Sequence, residues 1–395
     1  MIQHLFTLIW NRRQANFLLV TEIFLAFVVL FIVSSMLVYN RQTYQAPLGF
    51  DYEQVWTVDL DNGSTTQTSA QIVSTEQQIL QRLQSLPGVR YAALTGSNTP
   101  FSNNHNSSNL RREPKGEGPN GNIYRVSEDM RDVLRLPIRA GRWLDKRDQA
   151  GARIAVVISE ETQTALFPGQ SAVGQIFYAG ERECQVVGVT GPFRGDGDLS
   201  EPKPSFFAYA NPQDTTLSNL SRLLVRVSPD AGAALEKQMS TEIMAIGKGW
   251  TSSIAPLAEQ RATMLQVGLA PLVALGLVCV FLIINVALGL FGVLWQTIQQ
   301  RRAEIGVRRA MGATAGAISG QILGEILVVA TFGLALGLLV AVQLPLLGVF
   351  NVKTSVYLTA MLLAAGLIYA LSTVCALYPS WLAAGIHPAV ALREE

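Results

Sequence analysis

The chain has 395 residues, a formal net charge of +1, 49% hydrophobic residues and 15% charged residues, whereas globular proteins carry about 25% charged residues. This composition excludes an ordinary soluble protein and indicates a membrane protein. Residues 41–262 hold 22 Lys and Arg and 24 Asp and Glu, which leaves 8 basic and 5 acidic residues for the rest. The polar part is therefore one central block. We expect contacts with membrane lipid and none with nucleic acid.

The chain begins with a short prelude and a first membrane span. Residues 1–16 are predicted to form a cytoplasmic amphipathic segment, in which residues 4–10 lie along the membrane face. Residues 17–40 form the first span (TM1). Arg12 and Arg13 precede it as in a signal peptide, but the apolar stretch is longer than usual and no A-x-A-like cleavage site follows. We therefore expect an uncleaved anchor.

Residues 41–262 are predicted to form a large mixed α/β domain between the first two spans. A strand at 54–61, a helix at 69–86 and a strand at 89–96 make a β-α-β unit. A second strand and helix, within 221–246, combine with it into a split subdomain covering 41–100 and 221–262. The inserted subdomain, 101–220, is predicted to be mainly β. It has a long loop at 100–120 and strands at 153–159, 183–190 and 205–210.

Three further spans follow the α/β domain. The second span (TM2) covers 263–298, and its uncharged run 262–300 has 39 residues. As a helix this run would reach ~60 Å, about twice the thickness of the hydrocarbon core, so we expect it to continue as a stalk. The remaining segments are a cytoplasmic helix at 299–314, a third span at 315–342, a short external loop at 343–355, a fourth span at 356–378 and a cytoplasmic tail at 379–395.

The distribution of basic residues predicts the orientation. The loop between the third and fourth spans has only Lys353, whereas the other short segments are rich in arginine. The positive-inside rule then places both termini and segment 299–314 in the cytoplasm, and the α/β domain outside. The arginines concerned are Arg12, Arg13, Arg301, Arg302, Arg308, Arg309 and Arg393.

The third span carries glycines at four-residue intervals, a spacing that lets helix backbones approach closely in lipid. Two interpretations stay open, packing within one subunit and contact with a second subunit. Glu325 lies in the same span, either hydrogen-bonded to a neighbouring helix near its cytoplasmic end or functional at a subunit interface. The glycines are Gly316, Gly320, Gly324, Gly333 and Gly337.

Segment 299–314 is predicted to be a short amphipathic helix. At ~100° per residue its four arginines share an arc of ~120°, opposite Ala303, Val307 and Ala310. Glu304 can pair with Arg308 at i,i+4. By charge alone, the segment also fits a loop whose arginines hold the topology and touch lipid phosphates.

The same segment is predicted to end in a chain reversal. Gly312 suits the C-terminal cap of the short helix, and Thr314 suits the N-cap of the next one.

The chain carries no motif for chemistry of its own. It lacks G-x-x-x-x-G-K-[ST], G-x-S-x-G and H-E-x-x-H. The predicted topology separates His105 from His4 and His387, and Cys184 from Cys279 and Cys375, which excludes one shared metal site. We therefore predict that the chain is not an enzyme and binds neither metal nor cofactor.

The order of residues resembles the MacB/FtsX-like family of ABC transporter permeases. The motifs on which this resemblance rests are RRAEIGVRRAMGA at 301–313, GEILVV at 324–329 and GLALG at 333–337. Residues 136–176 and 186–207 are similar to the family's external domain, and 379–395 resembles its tail.

The resemblance implies that segment 299–314 is a coupling helix that sits in a groove of a cytoplasmic ABC ATPase. It also implies an ATPase dimer that binds ATP and Mg²⁺, a second identical or paralogous permease, and in some systems a periplasmic adaptor and an outer-membrane duct. The expected residues at the ATPase are Glu304, Ile305, Gly306, Arg308, Arg309, Ala310 and Gly312.

The function implied is mechanotransmission, in which ATP hydrolysis moves a periplasmic domain from the bacterial inner membrane. Export of a peptide, toxin, antibiotic or other envelope substrate is the first expectation. Lipoprotein release, activation of a cell-wall hydrolase and antibiotic sensing are the alternatives.

Overall fold

The computed structural model describes residues 13–63, 67–150, 153–209, 221–348 and 352–384. The predicted segment at 1–16 and the tail at 379–395 lie largely outside these residues. The chain divides into two compact units, an α/β unit, Thr43–Gly268, and a membrane unit made of Met1–Gln42 and Leu269–Glu395.

The helices are α1 (Arg13–Gln45), α2 (Ser69–Gln84), α3 (Met130–Leu134), α4 (Glu160–Leu166), α5 (Ala233–Gly247), α6 (Leu257–Gln300), α7 (Arg302–Ala310), α8 (Ala315–Ala341), α9 (Gln343–Leu346) and α10 (Thr354–Ala384). The strands are β1 (Val55–Asp61), β2 (Val89–Thr95), β3 (Ser107–Arg111), β4 (Asn120–Val126), β5 (Ile138–Gly141), β6 (Ile154–Ile158), β7 (Ile176–Ala179), β8 (Arg182–Thr190), β9 (Ser205–Tyr209), β10 (Arg222–Val227) and β11 (Thr251–Pro256). A 3₁₀ turn lies at Lys146–Ala150.

Within the described residues, four helices are long and apolar enough to cross a membrane, which confirms the predicted four-span fold. They cover Phe17–Gln45, Leu257–Gln300, Ala315–Leu346 and Thr354–Leu382. α6 is the longest of these helices. It begins directly after Pro256 and runs for 44 residues, or ~66 Å at the usual rise per residue. It contains Pro271, whose missing N–H removes one helical hydrogen bond.

The core of the membrane unit is built around α1. Ile23, Phe27 and Phe31 are almost completely buried and belong to one apolar cluster with Leu334 of α8 and Ala360 of α10. Close packing of these side chains holds the spans of this unit together, since hydrophobic burial contributes little between helices in lipid.

The α/β unit has one connected sheet of eleven strands in its described part, in the order β11-β1-β10-β2-β4-β3-β7-β8-β6-β9, with β5 beside β8 and an additional β4–β9 pairing. The first four strands of this spatial order, β11, β1, β10 and β2, are antiparallel to their neighbours. α2 and α5 cover them through a core that includes Ile79, Leu83, Met239 and Trp250. Among the described residues, the pairing of Thr95 in β2 with Val126 in β4 joins these four strands to the rest of the sheet.

The predicted β-α-β unit and the later strand and helix are confirmed, but the predicted loop at 100–120 is wrong in part. β3 lies within it and pairs with both β4 and β7. Its sequence, SSNLR, has one fully buried apolar side chain, Leu110. The periodicity of so polar a strand is therefore too weak to identify, and the neighbouring strands supply its hydrogen bonds.

Candidate coupling region

α7 is a nine-residue helix that begins two residues after α6 ends and is followed by a tight reversal into α8. The N–H of Ala313 donates to the Arg308 carbonyl (3.0 Å), and that of Gly312 donates to the Arg309 carbonyl (3.1 Å). Gly312 has φ = +97°, so the left-handed glycine closes the helix. Thr314 Oγ1 then accepts a hydrogen bond from the Ala317 N–H at 3.3 Å and starts α8. The predicted reversal is confirmed.

The buried side of α7 is centred on Ile305. Its side chain packs with Ile298 of α6 and Ile318 of α8, and Gly306 is buried next to it. Both residues were expected to contact an ATPase, but the structure places them inside the chain. They hold α7 against its neighbouring helices.

The opposite side of α7 is exposed and largely apolar. Val307 is 43% exposed and Met311 is 77% exposed. Of the other residues expected at the ATPase, Arg308 and Arg309 are half-buried. The exposed face, termed the α7 free face below, consists of Ala303, Glu304, Val307, Ala310, Met311 and Gly312.

Two arginines of this region, Arg301 and Arg308, form hydrogen bonds with side chains of the same chain. Arg301 Nη1 donates to both carboxylate oxygens of Glu325, at 3.0 and 2.8 Å. Arg308 donates to Gln321 Oε1 at 2.7 Å and to Glu304, and Gln321 in turn donates to Glu325 at 3.1 Å. The predicted Glu304–Arg308 pair is confirmed. Glu325 has its partners within its own chain, and a role at a subunit interface stays a prediction.

The glycines of α8 fall into two groups. A Cβ at Gly333 would lie 2.7 Å from Ile23 Cγ2, and one at Gly337 would lie 2.3 Å from Phe27 Cδ1. These two glycines therefore let α8 pack closely on α1 within one chain. Among the described residues, a Cβ at Gly316, Gly320 or Gly324 would meet no atom within 4 Å, and these glycines leave their side of α8 open.

In the α/β unit, a buried arginine fixes the loop that follows β8, a feature that sequence reasoning missed. Arg194 is 1% exposed, and its guanidinium donates to the carbonyls of Ala46, Asp198 and Ser200. It thereby joins the loop to the segment that follows α1. The crowding of Arg, Asp and Gly in the run FRGDGDLS, 193–200, was the available signal.

The same loop holds the first turns of α6. Arg261 donates from Nε and Nη2 to the two carboxylate oxygens of Asp198, both at 2.8 Å, and its guanidinium lies 4.6 Å from the ring centre of Tyr52. This two-pronged pair fixes both the position and the rotation of the helix start.

A cavity of about 520 Å³ lies between this loop and the first three turns of α6. Its walls are mostly apolar, with Phe101, Leu199 and Met264 among them, and Asp196 and Glu259 add acidic groups. A Cβ at Gly197 would lie 2.9 Å from Met264 Sδ, so the loop and α6 are in close contact beside the cavity.

Comparison with known families identifies the chain. The family model "MacB-like periplasmic core domain" matches residues 23–242, and "FtsX-like permease C-terminal" matches residues 276–388. The chain belongs to the MacB/FtsX-like permease family. The candidate coupling region of this MacB/FtsX-like permease lies inside the second match, while Arg261 and the first turns of α6 fall between the two.

Two relatives are named macrolide export ATP-binding/permease proteins. The one from Paracoccus denitrificans is 30% identical over 272 residues, which are 68% of this chain and 40% of the relative. The one from Aeromonas hydrophila is 25% identical over 288 residues, 70% of this chain and 43% of the relative. The chain thus spans about 40% of the length of the curated relatives it matches.

Two solved structures are also similar. The periplasmic region of MacB from Actinobacillus actinomycetemcomitans matches with a TM-score of 0.39 and 16% identity, covering 56% of this chain and 97% of that chain. The extracellular domain of the ABC-type transporter YknZ from Gram-positive bacteria matches with a TM-score of 0.35 and 16% identity, covering 50% of this chain and 99% of that chain.

Proposed function

We propose that this MacB/FtsX-like permease works with a separate cytoplasmic ABC ATPase, which binds ATP and Mg²⁺ and docks on the α7 free face. The observation that carries the proposal is the orientation of α7. Ile305 anchors the helix inward, and Arg301 and Arg308 bond within the chain, so Val307, Ala310 and Met311 are left for a partner. An amphipathic helix that lays an apolar stripe into a groove is a common mode of recognition.

α6 is the element through which movement of α7 would reach the α/β unit. It ends two residues before α7 begins, and its first turns carry Arg261, which is fixed to the loop after β8. In this mechanism the chain is a multi-pass inner-membrane subunit with both termini and α7 in the cytoplasm and the α/β unit in the periplasm. The arginines near the span ends support that orientation.

Export of a peptide, antibiotic, toxin or other envelope substrate is the output we propose. It is supported by the names of the relatives, which refer to macrolide export. The assembly would contain two permeases and two ATPases, and the open side of α8 at Gly316, Gly320 and Gly324 is a surface available to another membrane helix. A periplasmic adaptor and an outer-membrane duct would complete the path.

The test is mass spectrometry of the gently solubilised native complex, with the full chain as the tagged component. We expect an ABC ATPase to copurify with the wild type and to be lost from a Val307→Asp, Met311→Asp double variant. Met244→Asp is the matched control, because Met244 is a methionine that is 51% exposed on α5 of the α/β unit. Retention of the ATPase by the double variant would contradict docking on this face.

A further inference from the structure

A carboxyl group, that of Glu22, lies inside the first span with no ion-pair partner among the residues that the structure describes. Glu22 belongs to α1, nine residues after Arg13, which is ~13 Å along a helix. It is next to the buried Ile23, in the part of α1 that spans the membrane. An ionisable side chain at this depth is costly and requires a physical explanation.

Glu22 sits against the backbone of α6 at a glycine. A Cβ at Gly289 would lie 2.5 Å from Glu22 Oε2 and 2.6 Å from Oε1, so only glycine leaves room for both carboxyl oxygens. Gly289 is 12 residues before Arg301, or ~18 Å along the helix. The contact is therefore far from the arginines that follow α6.

Among the described residues, no ion pair or hydrogen bond involves Glu22. Residues 262–300 of α6 and 354–384 of α10 contain no charged side chain, and the charged residue of α8 is Glu325, which Arg301 already neutralises. The nearby polar group on α6 is Asn285, one turn from Gly289, and its Nδ2 donates to the Phe281 carbonyl. A bare carboxylate in such surroundings would lose its hydration without compensation.

We propose that Glu22 is a neutral carboxylic acid at the contact between α1 and α6, and that it is a proton-binding site within the membrane. Glu325, in contrast, is a carboxylate held by Arg301. The two membrane carboxyls thus differ in protonation because their surroundings differ. Any movement of α6 that brings water to Glu22 would release its proton, so the packing of the first two spans is linked to proton binding.

The test uses the full chain in lipid nanodiscs at neutral pH and dicyclohexylcarbodiimide, an apolar reagent that adds as a whole molecule to protonated carboxyls. Peptide mass spectrometry should show adduct formation at Glu22 at least roughly tenfold faster than at Glu325, the factor for one unit of proton affinity. Glu22→Gln should abolish the adduct. Arg301→Gln should make Glu325 reactive, which shows that the reagent reaches this region.

Infrared spectroscopy gives a second readout that does not depend on access of the reagent. The difference spectrum between the wild type and Glu22→Gln should contain a carbonyl band of a neutral carboxylic acid. The band of the buried Glu76 is common to both proteins and cancels. If neither the adduct nor the band assigns to Glu22, the group is charged, as it would be beside a cation of another chain, and the proposal is wrong.

The contact between the Glu22 carboxyl and Gly289 is tested with substitutions at a matched pair of glycines. Gly289→Ala places a methyl group where the carboxyl lies, and should change the labelling rate of Glu22 by roughly threefold or more, or half a unit of proton affinity. Gly292→Ala adds the same methyl group into open space and should label like the wild type. Equal labelling rates of Glu22 in the two variants would contradict the proposed contact between Glu22 and Gly289.

Discussion

Arg301 and Glu325 form an ion pair, with Arg301 Nη1 2.8 Å from Glu325 Oε2, which ties the start of the reversal to the first half of α8. The two side chains are 13% and 19% exposed, so removal of one partner leaves a half-buried charge. We expect Arg301→Ala to destabilise the membrane unit by about 1–3 kcal/mol. The readout is the thermal unfolding midpoint of the full chain in detergent.

Arg309→Ala is the control for the ion pair, because Arg309 is half-buried on the same short helix but has no ion pair among the described residues. Exchange of the two partners, Arg301→Glu with Glu325→Arg, should recover part of the loss. Equal destabilisation by Arg301→Ala and Arg309→Ala would show that the pair contributes nothing specific.

The two groups of glycines in α8 should respond differently to the same substitution. Gly337→Ala must push α8 away from Phe27, at a cost of about 1–3 kcal/mol. Gly320→Ala meets no neighbour in the described part of the chain and should be neutral or slightly stabilising, because alanine favours helix. Unfolding midpoints compare the two, and equal losses would contradict the assigned packing.

The open glycines also allow a test of the second permease contact. Gly320→Leu should lower the fraction of dimer in native mass spectra if α8 faces another subunit. An unchanged dimer fraction would place the subunit contact elsewhere.

The Arg261–Asp198 pair should control the order of the first turns of α6. Arg261→Lys keeps the charge but loses the planar fork. We expect amide hydrogen exchange over 257–268 to become roughly tenfold faster, which corresponds to about 1.4 kcal/mol. Arg153→Lys is the control, because its pair with Glu183 is nearly half-exposed on both sides and contributes little. Unchanged exchange in Arg261→Lys would remove this role.

Glu76 should make the stability of the α/β unit depend on pH. Its side chain is 3% exposed on the inner side of α2, and burial raises its pKa to about 8. The folded state therefore holds the proton more tightly than the unfolded state. The free energy of unfolding should be highest below the ordinary pKa of 4.5 and should fall as pH rises towards about 8.

Glu76→Gln should remove this dependence and stabilise the unit at pH 8 by on the order of a few kcal/mol. The measurement is hydrogen exchange of α2 in the full chain across this pH range. Glu242→Gln is the contrasting variant, because its hydrogen bond with Arg82 lowers the pKa of Glu242. Its effect should appear at acid pH and be small. The same pH slope in Glu76→Gln and the wild type would contradict the assignment.

Local signals of the sequence were sufficient for the spans and the reversal. A helix needs only a long apolar run to cross a bilayer, and Gly312 with Thr314 closes one helix and starts the next through bonds that reach at most five residues. Periodicity likewise separated the arginine side of α7 from the apolar side. It also identified the strands of the α/β unit that alternate clearly, whereas the polar β3 escaped it.

The tertiary structure decided which side of α7 is free. Ile305 lies within the same arc as the arginines, and residues a full helix away, Ile318, Gln321 and Glu325, give that arc its partners. Likewise, identical glycine spacing led to close packing at Gly337 and open space at Gly320, since α1 lies against only one part of α8. Amino-acid order by itself determined the helices and their caps, because those depend on neighbours in the chain. Whether each face of α7 and α8 is buried or exposed depended on contacts between distant segments, which no local pattern encodes.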